Sequence, residues 1–198
     1  MRDGRFVSAQ VIRDVVEFLS LDEDTGPQLS PAALAARYGV IIDKAVRLVA
    51  QMPDEHLTRE LPNRPRSWRV LLHHVFQIPK AYLDMEATGE TLTYEGLVAP
   101  PPDELRTSAD IAAFGRDVAE RFDEWWQDVQ AQSFDGEVPT YFGGTSRHEM
   151  LERTVWHSTQ HVRQVASLLE QVGITPEAPL TKDDLAGLPL TERVWDEN

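Results

Sequence analysis

There is no cysteine among the 198 residues. That excludes disulfides, a cysteine nucleophile and any thiolate-ligated metal, and it fits a reducing cytoplasm. Any metal must be held by His, Asp or Glu. No apolar run approaches the roughly 18 residues of a membrane span, so no membrane partner is expected. The first residues, MRDGRFVSAQ, lack an apolar stretch bounded by a cleavage signal, and neither end carries a lipidation motif. Positive charge is scarce as well. The 19 Lys and Arg face 33 Asp and Glu, for a formal net charge of −14. Such a surface repels phosphate backbones, so nucleic acid is not an expected partner. Arg59, Arg64, Arg66 and Arg69 come nearest to a basic cluster, and they read as solvated loop and helix-start residues. Strand patterning is sparse, and there is neither an internal repeat nor a low-complexity tract.

What the chain has is helical periodicity. Hydrophobic residues make up 41% and charged residues 26%, ordinary for a globular protein. GRFVS and SAQVIRDVVEFLSL read as a short strand and a helix, followed by an acidic Gly/Pro linker. SPAALAARYGVIIDKAVRLVAQMP opens with Ser30 as N-cap and Pro31 at the first helical position, and stops at Pro53. SWRVLLHHVFQIPKAYLDMEATG has Ser67 as cap and Gly89 as stop, with Pro79 inside, where a kink or a local break is expected. A third helix, SADIAAFGRDVAERFDEWWQDVQAQ, is capped by Thr107 or Ser108. SFDGEVPTYFGG reads as a loop. Ser146 and Glu149 have capping-box spacing before the fourth helix, and Gly173 ends it. The pattern predicts an all-α fold, an antiparallel four-helix bundle with an additional N-terminal helix and an irregular C-terminal tail. The expected organisation is an appendage and linker over 1–29, the bundle over 30–175, and a surface tail over 176–198 that packs Trp195.

Histidines carry the chemistry. There are six. On the second helix, Val70, Leu71, Val75, Ile78, Ala81, Tyr82 and Met85 define an apolar arc. His74 falls in its middle, while His73 falls outside and should face solvent or a boundary. On the fourth helix, His161 lies just inside the apolar arc and His157 roughly 40° further out. Four apart, these two stack on one face and can share an ion. Gln164 continues that edge. An inward His74 facing His157 and His161 would make three imidazoles with an open coordination position, the arrangement of a catalytic metal site. Nitrogen ligands suit zinc, nickel, copper or iron. The HxxxH spacing alone is a weak signal, and it lacks the glutamate of the HExxH protease motif. His56 and His148 sit near helix boundaries and read as loop or cap residues. The tryptophans read as core packing. Glu152 and Arg153 project away from the histidine edge by helical count, and no residue stands out as a general base.

LLHHV on the second helix, with WHSTQHVRQV on the fourth, resembles the DinB/YfiT-like superfamily of bacterial proteins over roughly residues 30 to 173. The resemblance implies a four-helix bundle with a divalent metal, zinc or nickel first, on His74, His157 and His161, and Gln164 in the family's recurrent glutamine position. It also implies a small-molecule substrate. Characterised relatives include isomerases and S-transferases that use a low-molecular-weight thiol such as mycothiol or bacillithiol. The expected function is therefore a metal-dependent transferase or hydrolase, with a non-catalytic metal-binding or dimerising bundle as the alternative and a homodimer as a possible assembly. DGRFVSAQVIRDVVEFL also resembles, more faintly, the last strand and helix of a glutaredoxin-like fold. That fold's cysteine motif is missing.

Overall fold

A computed structural model describes residues 28–62, 64–191 and 193–195. The strand and helix expected near the N-terminus, with the glutaredoxin-like segment, lie outside the described residues. Four long helices form the body. The first, α1, is Pro31–Gln51, with Ser30 Oγ accepting from the Ala33 N–H at 3.2 Å. The second, α2, is Trp68–Thr88, capped by Ser67 and closed by Gly89 at φ 71°. A short α3, Tyr94–Leu97, follows. The third long helix, α4, is Ser108–Val129, begun by a Thr107–Asp110 capping box. The fourth, α5, is Arg147–Gln171, begun by a Ser146–Glu149 capping box. A final turn, α6, is Lys182–Leu185. Among the described residues no helix is long and apolar enough to cross a membrane.

The apolar stripes bury one another. α1 packs on α4 and α5, and α2 packs on the same two helices, so α1 and α2 lie across the bundle from each other. Leu34, Tyr38, Ile41, Leu71, Phe76, Ile111, Phe122, Leu151, Val155 and Val162 are among the fully enclosed side chains. α2 and α4 approach closely at Gly115, where a Cβ would meet the Phe76 ring at 2.5 Å. A partly buried ion pair ties the end of α2 to the start of α5. Arg147 Nη2 donates to Glu86 Oε2 at 2.5 Å, and the Trp125 indole N–H donates to the same carboxylate at 2.9 Å.

Pro79 does not break α2, which runs unbroken through it. Proline has no N–H, so the carbonyl four residues back, that of Val75, loses its helical donor. Ser158 Oγ on α5 donates to that carbonyl at 3.0 Å. The vacancy created by Pro79 thus docks α5 onto α2 beside the histidines.

Two small hairpins were not legible as strands. Glu60–Leu61 (β1) pairs with Arg64–Ser67 (β2), and Glu137–Thr140 (β3) pairs with Gly143–Ser146 (β4). The segment expected as a loop, SFDGEVPTYFGG, therefore holds all of β3 and the start of β4. Its strands are four residues long and carry Pro139, Gly143 and Gly144, so the alternation that marks a strand is absent. The arginines near β2 are not merely solvated. Arg69 Nε donates to the Leu105 carbonyl at 2.7 Å, and the Arg59 guanidinium lies over the Trp68 ring.

Candidate metal centre

His74 from α2 meets His157 and His161 from α5. Each offers a ring nitrogen, and the three nitrogens all lie within 4.8 Å of one another. Ring centroids are 5.7 Å apart for His74 and His157, 4.9 Å for His74 and His161, and 5.1 Å for His157 and His161. His74 and His161 are buried and His157 is half-buried, the ordering that helical geometry predicts.

The surroundings keep the two buried imidazoles, those of His74 and His161, neutral. Burial, first of all, holds His74 well below its ordinary value, and the charge of Arg66 and the neighbouring histidines push the same way. Burial does the same for His161, helped by His74, His157 and Arg66. A neutral imidazole has a lone pair to give a metal; an imidazolium has none.

Hydrogen bonds choose which nitrogen faces inward. His161 Nδ1 lies 2.5 Å from Gln164 Oε1. The amide is oriented by its other end, because Gln164 Nε2 donates to the Trp195 carbonyl at 2.9 Å. Its oxygen can then only accept, so His161 carries its proton on Nδ1 and turns a bare Nε2 toward His157 Nε2, 3.3 Å away. On His74 a backbone hydrogen bond to Leu97 plays the corresponding part. An outer acceptor that fixes tautomer and ring orientation is the usual companion of a metal-bound histidine. The donor set therefore fits a divalent ion.

The structure corrects two expectations. His73 does not face solvent. It is 2% exposed and stacks on Phe114 with centroids 5.1 Å apart. The helical arc marks one buried flank of α2, but α4 covers a second. Burial, with the charges of Arg69 and Lys80, pushes His73 down to about 4. Arg153 does not project away either. It borders the same cleft as His157, beside Ile78, Leu97 and Met150. One helical turn separates the two, and four-apart residues share a face. Its guanidinium lies 4.4 Å from the Phe142 ring centroid, and burial pushes its pKa down to about 9, still protonated at neutral pH. Glu152, by contrast, is hydrogen-bonded to the Gln28 backbone.

The remaining singled-out residues fall as expected. His56 belongs to the 3₁₀ turn Asp54–His56, and His148, in the first turn of α5, has Nε2 2.7 Å from the Leu29 carbonyl. Trp68 is core. Trp156 is buried too, but its ring centroid lies only 5.7 Å from that of His157.

The tail does more than lie on the surface. Trp195 reaches the histidines, its ring centroid 5.0 Å from His161, 5.7 Å from His157 and 6.2 Å from Trp156. Gln160 Nε2 donates to Thr191 Oγ1, and Arg163 Nη1 donates to the Thr191 carbonyl at 2.7 Å. Gln160, Arg163 and Gln164 thus form a polar edge on α5 that straps the tail down.

A search among curated proteins finds no match. A family model described as "DinB family" matches residues 42–185, most of the bundle and all three histidines. With the helical bundle and the histidine cluster in place, the chain belongs to the DinB family.

Proposed function

We propose that this chain is a divalent-metal-dependent enzyme, a transferase or hydrolase that acts on a small molecule with a low-molecular-weight thiol or water as co-reactant. One observation carries the reading: His74, His157 and His161, from two helices, converge on one point in the bundle. Three imidazoles are the donor set of an open site, and zinc or nickel suits them. A divalent ion held there supplies Lewis acidity and lowers the pKa of a thiol or water at its remaining position.

The chain's own residues prepare that chemistry. Gln164 and the Leu97 backbone orient the rings of His161 and His74. Burial keeps the imidazoles of His74 and His161 unprotonated at neutral pH. Trp156 and Trp195 wall one side with apolar rings, and the cleft beside His157 carries Arg153, a cation suited to an anionic substrate group.

Metal analysis of protein purified without a metal-affinity column tests the reading. Near-stoichiometric zinc or nickel is expected in the wild type, and only traces in His157→Ala and His161→Ala. Trace metal in wild type after exposure to both ions would overturn it. Loading with cobalt separates enzyme from closed structural site. Addition of a small thiol should change the visible spectrum where a coordination position is open, and leave it unchanged where none is.

A further inference from the structure

Trp195 poses a question that packing does not answer. Its indole Nε1 is buried, and no acceptor among the described residues reaches it. The same ring lies against His157 and His161. A buried N–H without a partner forfeits its hydrogen bond to water and gains none in return, so such groups in a folded protein ordinarily serve something. The backbone carbonyl of this residue is meanwhile held by Gln164, whose other end orients His161. One amide side chain therefore fixes both a histidine and the indole beside it.

We propose that Trp195 is a binding residue of the metal centre: its indole N–H donates to an anionic acceptor atom, a thiolate sulfur or an oxygen, of the molecule at the open coordination position. The inference rests on the metal reading above. Its charge logic is local. The protein is acidic overall, with net charge −14, but Arg66 lies close enough to the histidines to disfavour their protonation. The same positive field favours an anion at that point, and an unpartnered N–H on a ring packed against His157 and His161 favours it further. The tail thereby sets which ligands the centre prefers: anionic acceptors over neutral donors of similar size. Trp195 fits this role better than a purely apolar wall would, because a phenylalanine would fill similar space without burying a polar atom.

The test uses full-length protein, with azide as anionic probe. Cobalt-loaded wild type is titrated with azide in the visible spectrum and compared with Trp195→Phe, which keeps an aromatic wall and removes the donor. Azide binding is expected to weaken roughly five- to tenfold in the variant, the worth of one hydrogen bond, with cobalt affinity unchanged. In zinc-loaded protein the indole N–H proton resonance, assigned by its loss in Trp195→Phe, should move downfield as azide is added. Equal azide affinity in the two proteins, or an indole signal indifferent to azide, overturns the role of Trp195 while leaving the metal centre standing. Failure of wild type to take up cobalt overturns both. Trp195→Ala provides a second variant: its loss of azide affinity should at least equal that of Trp195→Phe, and a smaller loss would count against the donor.

Discussion

At the scale of single residues, the centre depends on which proton each imidazole carries. Gln164 decides this for His161. Replacing Gln164 with leucine keeps the bulk and removes the acceptor, and metal affinity should drop by about 10- to 100-fold, the usual effect of losing an outer hydrogen bond. Competition titration against a chelator reads it, and an unchanged affinity would remove Gln164 from the site. His73, adjacent in sequence to His74, gives a different prediction. Its pKa is near 4 in the fold against an ordinary 6.5. Between those values the unfolded chain binds a proton that the folded chain refuses, so stability falls as pH falls through that window and is flat above it. The melting temperature of metal-free His73→Phe should therefore decline less steeply than wild type from pH 6.5 toward pH 4. Parallel curves would show that burial of His73 is not what sets the slope.

At the scale of elements, Pro79 and Ser158 act as a pair across α2 and α5. Ser158→Ala leaves the Val75 carbonyl without its donor, and denaturant unfolding should show a loss of about 1–3 kcal/mol. No loss would mean that another group takes up the Val75 carbonyl. The helices themselves were legible because caps, stops and apolar stripes agree. Ser30, Ser67, Thr107 and Ser146 each begin a helix where the sequence places it. The histidine cluster was legible for the same reason, since helical phase alone turns His74 inward. What phase cannot say is how many flanks of a helix are covered. That is why His73 reads as outward, and why its stacking on Phe114 came only with the position of α4. The β3–β4 hairpin and the tail have no periodicity to read. Trp195 is joined to His161 by a contact 34 residues long in sequence, and nothing local announces it.

At the scale of the molecule, a site built from α2, α5 and the tail couples ligand binding to the whole fold. Both helices must be in place for the donors to meet, and the unfolded chain has no such site. An ion at 100 times its dissociation constant then adds about 2.7 kcal/mol of stability. For a domain of this size that is a rise in melting temperature of roughly 5–10 °C, read by calorimetry with and without zinc. His161→Ala should abolish the rise, and a rise that survives would place the ion elsewhere.

Thr191 and Trp195 lie past residue 185, where the family match ends. Two relatives alike over the matched stretch can share the three nitrogen donors and still differ in what roofs them. Kinship over the bundle therefore transfers the capacity to hold an ion. Ligand preference need not travel with it, and a chimaera that exchanges only the last dozen residues between two such proteins would be enough to move it.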